Sequence, residues 1–199
     1  MEKVTRRYGD HRVLEEFSLR VGQGESAALV GKSGCGKTTL LRILAGLDRG
    51  YQGHVFLGGE SADEKAPRER NLAMVFQEPA LWNHMTVEEN ILFPLERRER
   101  KKALPRAQHI CGELDIGDLM KRYPAQISGG QAKRVSLARA LVSGKERLLL
   151  DEPLSNVDGK TREKVMDFLR REYIGKNTIL YVTHDMGEAE YLCSRVVAL

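Results

Sequence analysis

Two short segments carry residue types that act on phosphate esters. Gly31-Lys32-Ser33-Gly34-Cys35-Gly36-Lys37-Thr38 matches the spacing G-x-x-x-x-G-K-[ST]. Glycines at those positions let backbone N–H groups curl around phosphate oxygens, while a lysine places a cation on the β- and γ-phosphates. The Thr38 hydroxyl supplies a hard oxygen ligand for Mg²⁺. Far downstream, Leu148-Leu149-Leu150-Asp151-Glu152 is a short apolar run ending in two carboxylates. Asp151 can hold the Mg²⁺ shell and Glu152 can orient or deprotonate an attacking water, so the pair points to hydrolysis.

The surrounding pattern is the one such a site requires. Ala27 to Val30 is a continuous apolar run, and after the glycines Leu40, Leu41, Ile43, Leu44 and Leu47 recur at helical spacing, giving strand, glycine-rich loop, helix. Alternation over Phe17, Leu19 and Val21 predicts a half-buried strand, and further strands are expected at Val55–Leu57, Leu72–Phe76, Leu148–Leu150, Ile179–Val182 and Val196–Leu199. Helical patterns separate the last three. From Thr86 to about Arg122 the sequence reads as helical: Thr86 and Glu89 stand at capping-box spacing, and Glu96 to Lys102 is almost entirely charged. Glutamates interrupt those cations and no aromatic side chains are interleaved, which fits a solvated helix face better than a nucleic-acid surface.

Composition sets the bounds. The 199 residues are 41% hydrophobic and 30% charged with 6 prolines, enough apolar content for one sizeable core with a small subdomain and too little bias for a disordered chain. The formal charge of +4 suits an anionic partner without choosing one. Cys35, Cys111 and Cys193 are widely spaced and form no CxxC pair, so a reducing compartment is expected rather than a disulfide framework or zinc site. The N-terminus has no apolar core of signal-peptide length, and no run approaches the ~18 apolar residues of a membrane span. Any membrane role is therefore expected through a partner.

Ile127-Ser128-Gly129-Gly130-Gln131 narrows the class, because it resembles the LSGGQ signature of ATP-binding cassette (ABC) ATPases. The resemblance runs over essentially the whole chain. Tyr8 looks like the aromatic that stacks on adenine, Gln77 like the Q-loop glutamine, Ser155-Asn156-Val157-Asp158 like the D-loop, and His184 like the switch histidine. Singly, these read as a surface aromatic, a strand-end polar group, a helix N-cap at Asp158 and a turn histidine; together they stand in family order. Ser128 and Gln131 are also spaced as a capping box before Val135, Leu137, Ala138 and Leu141, a second anion-accepting helix terminus.

The resemblance implies an α/β P-loop NTPase fold: a RecA-like core (1–85 and 133–199), an N-terminal antiparallel β portion, and an inserted α-helical subdomain at about 86–132. It implies a head-to-tail dimer, most simply of identical chains, with ATP and Mg²⁺ between Gly31–Thr39 of one copy and Ser128, Gly129, Gly130 and Gln131 of the other. In that picture Glu152 is the catalytic carboxylate and His184 contacts the γ-phosphate. Gln77 senses Mg²⁺ and water, and Asp158 couples the two sites. Arg68–Gln77, His84–Asn90 and Asp151–Asn156 resemble the ATPases of bacterial and archaeal importers for sugars, polyamines, iron or oxyanions. This implies a cytoplasmic subunit at the inner face of the membrane, docked through the Trp82-bearing surface on permease subunits that a substrate-binding protein serves. No nucleic acid is expected; the alternative is a soluble ABC-type ATPase acting on nucleic acid or ribosomes, whose relatives usually carry coiled-coil insertions or two cassettes. Importers of this branch continue past the position of Leu199 into a last strand, a turn and a regulatory β domain. Departures from the pattern are Ile127 for leucine and Arg147 at a position that is usually apolar.

Overall fold

The apolar run Ser26–Val30 becomes strand β3 of a five-stranded parallel sheet, flanked on both sides by strands from the far end of the sequence. The computed structural model describes residues 1–199. Its strands are β1 (Glu2–Tyr8), β2 (His11–Phe17), β3 (Ser26–Val30), β4 (Tyr51–His54), β5 (Phe56–Leu57), β6 (Glu60–Ser61), β7 (Leu72–Val75), β8 (Arg147–Asp151), β9 (Thr178–Val182) and β10 (Arg195–Ala198). The helices are α1 (Lys37–Leu44), α2 (Val87–Leu92), α3 (Arg97–Glu113), α4 (Gly129–Val142), α5 (Gly159–Glu172) and α6 (Met186–Leu192). The parallel sheet has the order β10-β3-β9-β8-β7, and a second, antiparallel sheet has the order β2-β1-β4.

Parallel strands are covered on both faces, so their side chains divide between two cores. Leu148, Leu150, Ile179 and Tyr181 point into a cluster of 26 buried residues shared with α2, α3, α4 and α5. Leu149, Leu180 and Val182 face a cluster of 14 that includes Leu40, Leu41 and Ile43 of α1 and Val4 and Leu14 of the antiparallel sheet. Full burial of each such side chain is worth about 1.5–3 kcal/mol.

The helical part is built as its sequence dictates. Thr86 Oγ1 accepts from the Glu89 N–H at 3.3 Å while the Glu89 carboxylate accepts from the Thr86 N–H at 2.7 Å, so the expected capping box starts α2. Asn90 is fully buried and holds the preceding loop, donating to the carbonyls of Trp82, Met85 and Thr86 and accepting from the Trp82 N–H. The charge run lies on the exposed first turns of α3.

Two expectations change. Residues 18–21 are not a strand: the alternation arises because Leu19 is buried in an irregular segment pinned to Met1 through paired backbone bonds. The strand foreseen at Val55–Leu57 is split, with β4 ending at His54 and Phe56–Leu57 turning through Gly58-Gly59 into β6. α4 runs unbroken from the helical part onto β7 and buries nine of its 14 residues, so one apolar cluster spans both. No helix is long and apolar enough to cross a membrane.

Candidate functional site

Parallel register brings the chemistry-bearing residues to one edge. Val75 pairs with Leu150, Asp151 with Val182, and Leu29 with Val182. Gly31, Gln77, Glu152 and His184 therefore all leave the sheet at its C-terminal end, where α/β sheets bind ligands.

The glycine loop fits only as glycine. Gly34 and Gly36 have φ of 82° and 106°, and a Cβ on Gly36 would lie 2.9 Å from Val13 Cγ1 of the adjoining hairpin. Lys37, at the head of α1 and only 8% exposed, donates from Nζ to the carbonyls of Gly31 (2.8 Å) and Lys32 (2.9 Å). Lys32, Ser33 and Gly34 are exposed at the loop crest, with Cys35 half-buried and Thr39 following in α1. Thr38 Oγ1 donates to Asp151 Oδ2 at 2.8 Å. Asp151 is 1% exposed, and burial pushes its carboxyl above the ordinary value while the Thr38 hydrogen bond pulls it partly back. One buried carboxylate beside one hydroxyl is the oxygen set that suits Mg²⁺, which keeps most of its waters and takes few protein ligands. The residues present fit a magnesium-bound nucleotide.

Glu152 has φ of 45°, a conformation rare outside glycine. Its N–H is fixed to the Val182 carbonyl at 2.9 Å, and its Oε1 lies 3.4 Å from Nδ1 of the exposed His184. Glu152, Ser155, Asn156 and His184 line a small polar recess of about 130 Å³. Below His184, Thr183 and Tyr181 both donate to the buried Glu188 carboxylate at 2.9 Å, anchoring the turn that carries the histidine. Gln77 is exposed directly beyond β7.

The signature residues form their own terminus. Ser128 caps α4, accepting from the Gln131 N–H at 3.3 Å while Gln131 Oε1 accepts from the Ser128 N–H at 2.9 Å. Gly129 is exposed, and Gly130 packs on the D-loop segment of the same chain: a Cβ there would lie 2.6 Å from the Asn156 carbonyl oxygen. Asp158 caps α5, accepting from the Thr161 N–H at 3.0 Å. Tyr8 stands at the tip of the β1–β2 hairpin, its hydroxyl donating to Asp48 at 2.5 Å and one ring face covered by the Arg6 guanidinium 4.2 Å from the centroid.

A family model described as ABC transporter matches residues 14–155. The chain belongs to the ABC transporter family. ABC relatives similar to it include a trehalose import ATP-binding protein of Mycobacterium tuberculosis, 42% identical, the match covering 100% of this chain and 52% of the relative. A sulfate/thiosulfate import ATP-binding protein of Methylococcus capsulatus is 42% identical over 100% of this chain and 59% of its own. The chain thus spans about half the length of the curated ABC relatives it matches. Among solved structures, the dimeric structure of a bacterial ABC transporter cassette superposes with a TM-score of 0.89 at 29% identity, covering 100% of this chain and 92% of that one. A post-hydrolysis state of the same cassette, bound to ADP and phosphate, gives 0.87.

Within this ABC fold the site holds residues that local patterns did not single out. Lys133 and Arg139 both reach from α4 to the loops around the sheet edge: Lys133 to the Glu152 carbonyl at 3.0 Å, and Arg139 to the carbonyls of Pro79 (3.0 Å) and Ala80 (2.9 Å), just past Gln77. Arg70, 1% exposed, donates to the Ile43 and Leu44 carbonyls at the C-terminal end of α1. Lys133 is one of three basic residues in α4, beside Arg134 and Arg139, and no local pattern sets it apart from them.

Proposed function

We propose that this chain is the ATP-hydrolysing cassette of a membrane transporter and works as a head-to-tail dimer. ATP is clasped between the Gly31–Thr38 loop of one copy and Ser128, Gly129 and Gly130 of the other. The observation that carries this reading is the direct Thr38–Asp151 hydrogen bond, which joins the phosphate loop to the carboxylate strand at the edge where Glu152 and His184 also emerge.

The chemistry follows from the groups present. Loop N–H groups and Lys37 neutralise the β- and γ-phosphates, while Tyr8 offers its ring face opposite Arg6 to the adenine. Thr38 and Asp151, together with Gln77 just beyond β7, would hold Mg²⁺, which would supply charge neutralisation on the departing phosphates. Glu152 accepts the proton of the attacking water as its oxygen bonds to the γ-phosphorus and the bond to ADP breaks. His184, beside Glu152, steadies the water and the γ-phosphate. Asp158 and its loop relate the two sites, so closure with ATP and opening after hydrolysis become motion.

That motion drives solute import through partner permease subunits, with any binding protein acting through the permease, and the chain works at the cytoplasmic face of the membrane. The relatives' roles in trehalose, sulfate/thiosulfate and spermidine/putrescine import support this. The exposed Trp82, packed 5.4 Å from Phe93, presents an apolar docking surface in the segment that follows Gln77.

Light scattering of Glu152→Gln tests the proposal. An ATP-dependent dimer that hydrolyses at least about 10²-fold more slowly than wild type, lost when Ser128 is also made bulky, is expected. A Glu152→Gln chain that hydrolyses ATP normally, or a wild-type ATPase stimulated by DNA, overturns it.

A further inference from the structure

Lys133 occupies an unusual position for a cation. It is 6% exposed on a helix whose neighbouring positions Val135, Leu137 and Ala138 are core residues. Its ammonium contacts a backbone carbonyl, that of Glu152 at 3.0 Å, and the Ser155 hydroxyl, rather than a carboxylate. Burial works against the charge here, and the fields of Glu152 and Asp151 only partly offset it. A methionine would fill the same space without that cost. The geometry gives the charge a task.

The Glu152 carbonyl gathers three donors: Lys133 Nζ at 3.0 Å, Ser155 Oγ at 3.0 Å and the Ser155 N–H at 3.2 Å. At the other side of the residue, its N–H is fixed to β9 through Val182. A side chain held at φ of 45° keeps its direction only while the flanking peptides are held, and Lys133 is the one donor that comes from outside the loop. The same helix begins at Ser128, and Gly130 packs flush on Asn156. α4 is therefore joined to the Glu152–Asn156 segment at two points, one a steric contact and one a hydrogen bond from a charged donor.

We propose that Lys133 is a positioning residue that ties the Ser128–Gly130 end of α4 to the Glu152 backbone of the same chain. Engagement of that helix terminus by the nucleotide of one site then sets the carboxylate of the other. This rests on the hydrolytic dimer proposed above. Lys133 acts through the Glu152 backbone.

The test uses the full chain with Lys133→Met, Lys133→Gln and Lys133→Arg. Steady-state kinetics are combined with hydrogen exchange at the Ser155 and Val157 amides, whose acceptors, the carbonyls of Glu152 and Leu154, lie in the same turn. Lys133→Met is expected to lower kcat by about 10²-fold, the penalty of a misplaced catalytic group, with KM for ATP within about threefold. It should speed exchange at both amides, and Lys133→Arg should restore most of both. Should Lys133→Met not fold, Lys133→Gln, which keeps a donor on a shorter stem, is read in its place. Wild-type kcat in the methionine variant overturns the proposal, as does a lost kcat with unchanged exchange and no recovery by arginine. If the wild type itself hydrolyses no ATP, the functional reading fails, and the exchange data still decide whether Lys133 holds the loop.

Discussion

Thr38 and Asp151 are joined by a 2.8 Å hydrogen bond between the first turn of α1 and the last residue of β8, and the carboxylate in that bond is almost wholly buried. Burial raises its pKa above the ordinary 3.8, so the folded chain holds that proton more tightly than the unfolded chain does. Its contribution to stability is present in full below about pH 3.8 and is lost as pH rises through the raised value. Asp151→Asn keeps the acceptor for Thr38 without the charge. It should melt a few degrees higher than wild type at pH 7, a difference that shrinks toward pH 4, while losing magnesium-dependent hydrolysis; about 1 kcal/mol moves Tm by ~2–4 °C at this chain length. Thermal melts across pH read the first effect and phosphate release the second.

Adjacent glycines of the signature should respond differently to alanine. At Gly129 nothing lies within 4 Å of an added methyl, whereas at Gly130 it meets the Asn156 carbonyl oxygen at 2.6 Å. In denaturant titrations Gly129→Ala should stay within about 0.5 kcal/mol of wild type. Gly130→Ala should lose about 1–3 kcal/mol, because the obstacle is backbone rather than a movable side chain.

Arg139 fastens the loop after Gln77 to α4 through the Pro79 and Ala80 carbonyls. Replacement by methionine removes both donors and should cost about 1.5–3 kcal/mol. Limited proteolysis should then cut between Gln77 and Leu81 faster than elsewhere. Unaltered cleavage would show that the loop is held by its own conformation.

Cys35 lies half-buried inside the phosphate loop, its Sγ 3.8 Å from Lys37 Nζ. A maleimide on this sulfur should abolish nucleotide binding, and saturating ATP should protect it. Cys111 and Cys193 should react far more slowly, since burial pushes both thiols up to about 12. Mass spectrometry of labelled peptides, with and without ATP, measures all three.

What the sequence makes legible is local. The loop Gly31–Thr38 is readable because positive φ at Gly34 and Gly36 requires glycine, and the Thr86–Glu89 and Ser128–Gln131 caps because a helix start needs donors and acceptors three residues apart. The β1–β2 hairpin is poorly marked: Glu2–Tyr8 and His11–Phe17 are mostly polar, and Val4 and Leu14 are their only buried residues. Lys133 and Arg139 stay silent for a different reason. Their partners are 19 and 60 residues away, and no periodicity within α4 encodes what a basic side chain will meet across the sheet. The false strand at residues 18–21 shows the converse, alternation produced by packing of an irregular segment.

The strand order also orders events in time. β3, which carries the phosphate loop, is made early, yet both of its neighbours, β9 and β10, come from the last part of the sequence. At ~5–20 residues per second, a ribosome needs on the order of ten seconds to supply them. Throughout that interval Ala27, Ala28 and Leu29 have no sheet to enter, and their backbone groups stay open to stray pairing. Nascent chains stalled before β9 should therefore be protease-sensitive around β3. A nucleotide can help to complete this fold only after β9 and β10 have been made.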